Sequence, residues 1–362
     1  MRENSESVMT LSASQVSYLE AQMNAVSRSF AVVVASLEQP LRAQLATAYL
    51  LCRVADNVED CTQSAAWKAA KFAEFDHLLT EPEAARDVLG AWDGDAWPGL
   101  TPDERKLMGL AEGAQLWQIY ANVPASERAI IRRWVSTMSE GMTHLDDPET
   151  APNFVERYGV KVLARRDDYN EYCFIVAGTV GHMATELVLH QYHINGETGG
   201  RLVGASEACG RALQKTNILK DFAEDLERGV AYLPDEWLHM ADHAPLAFGG
   251  APLEFKRIVL EDILSELEVA TQYVINLPLE ASGYRMASLL CLLPALQTNL
   301  LAAQEQQKLF TREHRYKISR AVLGQCLLNA RQMVNHNSAI RSYSDRAQEE
   351  IRRSLDDVRE NS

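Results

Sequence analysis

The stretch that decides the fold runs from Tyr49 to Asp60 and reads Tyr49-Leu50-Leu51-Cys52-Arg53-Val54-Ala55-Asp56-Asn57-Val58-Glu59-Asp60. In this stretch and just before it, apolar residues recur at spacings of three and four, as Leu45, Tyr49, Cys52 and Ala55 do. This spacing is typical of an amphipathic helix that buries one face. The stretch therefore predicts a core helix that carries three carboxylates at its end.

The same periodicity continues along most of the chain. It predicts helices at about 14–36, 41–61, 64–80, 103–121, 126–145, 153–192, 200–227, 252–276, 284–309, 317–334 and 344–358. No alternating run bounded by hairpin turn residues stands out, so strands are expected to be rare. The sequence predicts an all-α, single-domain helical bundle. Residues 13–334 form its folded domain, with a polar N-terminal tail at 1–12 and a polar C-terminal helix or tail at 335–362.

Composition narrows the class of protein. The 362 residues include 35 Lys and Arg against 50 Asp and Glu, a net charge of −15, which disfavours nucleic acid as a partner. The six cysteines form no Cys-x-x-Cys pair, as expected of reduced thiols in the cytosol. The longest apolar stretch, near Ala287–Ala295, contains Pro294 and is shorter than the roughly 20 residues of a membrane span. We expect a soluble cytoplasmic protein.

Two acidic motifs share the pattern Asp-x-x-Glu-Asp, at Asp56–Asp60 and Asp221–Asp225. Residues three and four apart lie on one face of a helix, so each motif groups its carboxylates. Asn217 adds a neutral oxygen one turn before the second motif. Mg²⁺ binds oxygen ligands and is held by a few carboxylates together with substrate phosphates. The two motifs predict a Mg²⁺ site for a diphosphate substrate; solvated acidic faces are the alternative.

Cations, hydroxyls and apolar side chains accompany these motifs. Arg53 and Lys220 stand beside the carboxylates, and Ser27-Arg28-Ser29 resembles a phosphate clamp. Gly178 and Gly181 interrupt an apolar helix, which indicates either close helix packing or a wall for a hydrocarbon chain. Together these features predict metal-assisted ionisation of an allylic diphosphate in a dry cavity. The predicted wall residues are Phe30, Val176, Ala177, Gly178 and Val180.

Four stretches in this order resemble the squalene/phytoene synthase family: Ser27–Phe30, Tyr49–Asp60, Tyr172–Gly181 and Leu213–Asp225. The two Glu-Asp endings and the segment Tyr316–Arg320 are most similar to the squalene synthases. The resemblance implies an isoprenoid synthase fold with a central apolar cavity. It also implies head-to-head condensation of two farnesyl diphosphates to presqualene diphosphate, followed by NADPH-dependent reduction to squalene.

The resemblance also implies roles for individual residues. Those implied to bind Mg²⁺ are Asp56, Glu59, Asp60, Asn217, Asp221 and Asp225, and those implied in catalysis are Asp56, Asp60, Tyr172, Asp221 and Asp225. Those implied to bind diphosphate are Ser27, Arg28, Ser29, Tyr49, Arg53, Gln214 and Asn217. Those implied to meet the phosphates of NADPH are Arg28, Arg53, Lys220, Lys317 and Arg320.

Several alternatives stay open. Lys220, Val230 and Ala295 depart from the family pattern, so a non-reducing dehydrosqualene or phytoene synthase, or a terpene cyclase of the same fold, remains in play. A di-iron bundle would use the pairs Glu74–His77 and Glu236–His239. A helical scaffold without activity is the non-enzymatic alternative. Prenyl chain length, oligomeric state and contact with a membrane during product release are left open.

Overall fold

The computed structural model describes Met9 and residues 11–146, 154–240 and 251–356, whose regular structure is almost entirely helical. The all-α class is therefore confirmed. The chain divides into two compact units. Unit 1 comprises Met1–Ala151 and Met183–Ile194, and unit 2 comprises Pro152–His182 and Asn195–Ser362. The single domain over 13–334 and the central cavity stay predictions.

Unit 1 is built around its third helix. Its helices are α1 (Ala13–Val26), α2 (Arg28–Ala35), α3 (Leu41–Asp60), α4 (Ala65–Thr80), α5 (Ala85–Trp92), α6 (Pro102–Met108), α7 (Leu110–Ala121) and α8 (Ala125–Asp146). The apolar face of α3, including Leu50, Leu51 and Val54, is completely buried. It packs against α1, α4 and α8, which leaves the polar face of α3 for function.

Two predicted helices of unit 1 are each broken in two. The span 14–36 is interrupted at Ser27, which has an extended backbone and whose hydroxyl accepts a hydrogen bond from the amide of Phe30 at 3.3 Å. This capping satisfies an amide that a helix start leaves unpaired. The span 103–121 is interrupted at Gly109, the extended residue that ends α6 and begins α7. Local capping overrides the apolar periodicity at both points.

Unit 2 has a small sheet beside long helices. Its strands are β1 (Phe154–Arg157), β2 (Val160–Leu163) and β3 (Val230–Ala231), and its helices are α9 (Arg166–Cys173), α10 (Thr179–Gln191, which passes into unit 1), α11 (Gly196–Glu227), α12 (Asp235–Met240), α13 (Leu253–Asn276), α14 (Ser282–Gln304), α15 (Arg320–Met333) and α16 (Asn337–Asp356). The core forms where α11 packs on α13 and where α14 packs on α16. Segment 337–356, part of the predicted polar tail, buries Ile340, Ile351 and Leu355 in this core.

The predicted helix 153–192 is wrong at its start, because its first residues form a hairpin. β1 pairs antiparallel with β2, with Arg157 opposite Val160, and β2 pairs in parallel with β3. Tyr158 and Gly159, which lie between β1 and β2, have φ values of 52° and 76°. A two-residue turn with positive φ at both positions matches the twist of a hairpin. The helix begins only at Arg166, because the residues before it form the hairpin and not a helix.

Within the residues that the structure describes, two helical stretches have the length and apolar composition of a membrane span, Arg166–Gln191 and Ser282–Gln304. The second is 23 residues long and continues through Pro294, so it exceeds the short apolar stretch near Ala287–Ala295 that the sequence indicated. Half or more of each apolar window is buried inside the protein. Packing within the fold therefore buries about half of the first window and most of the second.

Candidate active site

On α3, an arginine and an aspartate of the first acidic motif lie side by side. Arg53 Nη1 is 3.5 Å from Asp56 Oδ2, and both side chains are about three-quarters buried. Arg53 Nη2 also donates to the hydroxyl of Tyr49 at 3.5 Å. The Nε of Arg53 is buried and has no hydrogen-bond partner in the described part of the chain. An additional acceptor, such as a diphosphate oxygen, would satisfy this donor.

The electrostatics around Asp56 are unfavourable for its charge. Burial raises the pKa of Asp56 to about 6; Arg53 opposes this shift, and the charges of Asp60 and Glu104 add to it. Asp60 lies one turn further on the same helix and is exposed. A divalent cation beside these carboxylates would offset their repulsion. The donors on this face are all oxygen, the ligand type that suits Mg²⁺.

The residues of the predicted phosphate clamp lie at the start of α2. The ring of Phe30 stacks on that of Tyr49, with 4.6 Å between centroids and 20° between planes. Arg28 and Ser29 are exposed, whereas the hydroxyl of Ser27 is engaged as the α2 cap. The structure thus joins Phe30, Tyr49 and Arg53 into one contact chain. The diphosphate roles of Ser27, Arg28 and Ser29 stay predictions.

The other residues of the first motif have separate environments. Asn57 is completely buried and donates to the carbonyl of Glu104 at 3.0 Å, so it fastens α3 to α6. Glu59 is half-buried, and its backbone carbonyl accepts a hydrogen bond from Lys68. The first motif therefore has a structural residue, Asn57, between its carboxylates.

On α11 of unit 2, a lysine bridges two predicted metal ligands. Lys220 Nζ is 3.1 Å from Asp221 Oδ2 and donates to Asn217 Oδ1 at 3.3 Å. Gln214, Asn217, Asp221 and Asp225 share one face of α11 by their spacing. Asn217 is exposed, and the other three are half-buried. Lys220 supplies the positive charge that this oxygen-rich face requires.

An arginine that the sequence reading did not single out holds the end of α11. Arg315 Nη1 forms a hydrogen-bonded ion pair with Glu224 at 2.5 Å, and Nη2 contacts Glu227 at 3.2 Å. Arg315 thereby ties the segment before α15 to the second acidic motif. Lys317 and Arg320, the predicted cofactor residues, are exposed on that segment and at the start of α15. Glu224 belongs to the second Asp-x-x-Glu-Asp motif and Glu227 lies three residues after it, but no local pattern in the sequence indicated that Arg315 pairs with them.

Tyr172 stacks on a second tyrosine. The ring centroids of Tyr172 and Tyr232 are 4.2 Å apart and the planes differ by 14°. Tyr172 is 7% exposed and Tyr232 is half-buried. Tyr232 follows β3 and is distant in sequence, so no local pattern could have identified it. The role predicted for Tyr172 stays a prediction.

The predicted wall segment begins with a single π-helical turn at Phe174–Gly178, between α9 and α10. Such turns are often found at functional sites. A Cβ on Gly181 would lie 2.2 Å from the carbonyl of Ser206, and one on Gly210 would lie 2.0 Å from that of Ala177. These glycines therefore serve close packing of α10 and the π turn on α11. Val176, Ala177 and Val180 are half-buried, and their role as a wall stays a prediction.

A buried charge network lies on another side of α11. Lys215 is completely buried, and its Nζ contacts Asp262 Oδ2 at 2.6 Å and Glu266 Oε1 at 3.1 Å. It also lies 5.0 Å from the ring centroid of Tyr169. Arg166 and Arg211 extend the network to the same two carboxylates; Arg166 contacts Asp262 and Arg211 contacts Glu266. Lys215 stands between Gln214 and Thr216, so its sequence neighbours gave no signal that it is buried.

Within the described ranges, no three His, Cys, Asp or Glu side chains come close enough to form a metal site by themselves. A Mg²⁺ ion would therefore share its coordination between one or two carboxylates, water and a bound diphosphate, as this ion commonly does. The di-iron alternative finds no support: Glu74 accepts from Trp92 Nε1 at 2.6 Å and from Lys71 at 2.9 Å. Glu236 accepts from the amide of Arg166.

Comparison with known proteins gives a consistent result. The family model for squalene/phytoene synthase matches residues 23–322, which include both acidic motifs. The squalene synthase of Candida albicans is 32% identical over 218 residues, or 59% of this chain and 44% of that protein. The bifunctional lycopene cyclase/phytoene synthase of Pyrenophora tritici-repentis is 26% identical over 272 residues, 71% and 41% of the two chains. The chain thus covers less than half the length of these relatives.

Solved structures share the fold. The chain resembles TcSQS in complex with the ligand E5700 with a TM-score of 0.71 and 21% identity, over 95% of this chain and 98% of that one. It resembles a dehydrosqualene synthase in complex with a ligand with a TM-score of 0.59 and 19% identity, over 89% and 96%. At such identities the likeness establishes the helical fold alone.

Proposed function

Because the chain belongs to the squalene/phytoene synthase family, we propose that it is a prenyltransferase that condenses two farnesyl diphosphates head to head to presqualene diphosphate and then reduces this to squalene with NADPH. The observation that carries the proposal is the pairing of Arg53 with Asp56 on α3. It combines an unsatisfied phosphate donor with a carboxylate whose charge requires a cation. A diphosphate held with Mg²⁺ supplies both.

The predicted site residues have defined tasks in the proposed reaction. Arg53 donates to the departing diphosphate and so stabilises its negative charge. In unit 1, Asp56, Glu59 and Asp60 of α3 would supply carboxylate oxygens to Mg²⁺, and in unit 2, Asn217, Asp221 and Asp225 of α11 would supply oxygens to Mg²⁺. When bound, Mg²⁺ neutralises the charge that develops on the leaving group. The carboxylates thereby position the diphosphate for ionisation.

Aromatic and apolar side chains protect the prenyl cation. The Phe30–Tyr49 and Tyr172–Tyr232 pairs present π faces, which attract positive charge. Val176, Ala177 and Val180 exclude water that would quench the cation. Lys317 and Arg320 are exposed cations that would bind the phosphates of NADPH, which would supply the hydride of the second step. The six free cysteines support a reducing, cytoplasmic location.

The test is an assay of products from the purified chain with farnesyl diphosphate and Mg²⁺, with and without NADPH. We expect presqualene diphosphate without NADPH and squalene only with it. A product that is the same in both assays would assign the chain to the non-reducing synthases, and a cyclic product of one substrate would assign it to the cyclases. Absence of any product with farnesyl or geranylgeranyl diphosphate would leave the scaffold alternative.

A further inference from the structure

Helices α1, α2 and α3 of unit 1 border a cavity with a volume of about 220 Å³. Its walls include Leu19 and Met23 of α1 and Ala43 and Ala46 of α3, all of which are buried. None of the residues predicted for the candidate active site lines it. A water molecule in such an apolar cavity finds few hydrogen-bond partners, so a hydrocarbon group is the favoured occupant.

The apolar lining continues to the protein surface on α2. Val32 lines the cavity and is 54% exposed, and Ala35, one turn later, is also exposed and lines it. A ligand that covers exposed apolar surface and fills the adjoining cavity removes both from water, which is favourable. The exposed side of α2 therefore forms part of the mouth of the cavity.

An arginine at the start of α3 brings a positive charge to this cavity. Arg42 lines it and is half-buried. Its Nε donates to the carbonyl of Leu37 at 2.8 Å, and its Nη2 donates to the carbonyl of Ala35 at 2.8 Å. The two carbonyls hold the guanidinium in place but do not cancel its charge, and Arg42 forms no ion pair with any residue of the described ranges. The remaining N–H groups of the guanidinium are left for an anion.

The other charge on the lining is the carboxylate of Glu20, which is exposed and therefore screened by water and salt. A single guanidinium matches a single carboxylate, with which it can form two parallel hydrogen bonds. A doubly charged phosphate would need further donors and would meet stronger repulsion from a protein with a net charge of −15. We propose that this cavity binds a long-chain fatty acid anion, with the alkyl chain between α1, α2 and α3 and the carboxylate on Arg42. The proposal does not rest on the proposed function.

The experiment measures the binding of decanoate, below its micelle concentration, to the full chain without substrate by calorimetry. Decanol has the same alkyl chain without the charge and is the comparison ligand. We expect decanoate to bind at least about tenfold more tightly than decanol, the scale of a hydrogen bond to a charged group. High salt should reduce this difference. Equal affinities for the two ligands would overturn the proposal, because the charge of Arg42 would then contribute nothing.

Two variants test the two ends of the site. Arg42→Gln removes the charge and should weaken decanoate binding at least about tenfold, while the affinity for decanol stays the same. Its matched control is Arg86→Gln, which removes an exposed arginine of α5 and should bind decanoate like the parent chain. Ala46→Leu adds apolar volume inside the cavity and should weaken the binding of both ligands at least about tenfold, with no fall in melting temperature.

Because Arg42 also binds carbonyls at the end of α2, a third variant tests the site without altering that contact. Val32→Glu places a carboxylate at the exposed mouth and should weaken decanoate binding about threefold or more at the parent melting temperature. Equal decanoate binding by the parent and Ala46→Leu would overturn the proposal, as would an equal loss in Arg86→Gln. A parent dimer that Val32→Glu converts to a monomer, without decanoate binding, would also overturn it and assign the cavity to contacts between copies.

Discussion

The ammonium group of Lys220 lies 3.1 Å from the carboxylate of Asp221, the next residue of α11. The same ammonium reaches Asn217 one turn earlier. Lys220 therefore holds two of the oxygens that are predicted to bind Mg²⁺. Lys220 and a metal ion would compete for the same ligand oxygens. Their relative affinities for these oxygens would set the concentration of Mg²⁺ that the site requires.

Removing Lys220 should raise the affinity for Mg²⁺. In Lys220→Met, titration of Mg²⁺ in the presence of pyrophosphate, followed by calorimetry, should give half-saturation at a concentration about two- to fivefold lower, the scale of one partly exposed ion pair. Lys106→Met, which removes a lysine paired with Asp103 on α6, is the control and should leave the titration unchanged. Weaker binding of Mg²⁺ in Lys220→Met would show that Lys220 assists the metal.

Replacing Asp56 should lower the activity without lowering the stability of the fold. Asp56→Asn should lower turnover about 10²-fold or more, the scale for losing one electrostatic stabiliser of the transition state. Because the pKa of Asp56 is raised, its ionisation opposes folding as pH rises from about 4 to about 6. In chelator at pH 7 the variant should therefore melt no lower than the parent. Asp103→Asn is the control for activity; normal turnover in Asp56→Asn would remove Asp56 from the site.

The glycine contacts of α11 should be sensitive to a single methyl group. Gly181→Ala and Gly210→Ala place a Cβ against a backbone carbonyl, and overpacking of this kind costs about 1–3 kcal/mol. Gly204→Ala, on the same helix but with open space around its Cβ, should raise stability by about 0.5–1 kcal/mol. Denaturant unfolding measures all three. If the three variants changed stability equally, the close approach would not be a feature of the folded protein.

The buried lysine of α11 should be essential to the fold. Lys215→Met leaves Asp262 and Glu266 buried with less compensating charge, and breaking such a pair costs about 3–5 kcal/mol. Lys308→Met removes an exposed lysine paired with Glu305 and should cost less than about 1 kcal/mol. Unfolding in urea checks both values. A loss below about 1 kcal/mol in Lys215→Met would mean that water or rearrangement satisfies the two carboxylates.

Much of the fold was predictable because helices are encoded locally. The span of α3 was expected at 41–61 and lies at Leu41–Asp60, since its apolar spacing alone selects the buried face. The prediction failed where a few atoms decide the backbone, as at the Ser27 cap and the Tyr158–Gly159 turn. A single capping hydrogen bond or a residue with positive φ does not change the spacing of apolar residues from which the helices were predicted.

The candidate site divides in the same way. The spacing of Asp56 and Asp60 places them on one face of the helix whatever surrounds it. The grouping of these carboxylates could therefore be predicted from the sequence alone. The stacking of Tyr232 on Tyr172 and the clamp of Arg315 on Glu224 join residues 60 and 91 positions apart. Such contacts arise only when the chain folds back on itself, because aromatic and charged partners are chosen by proximity in space.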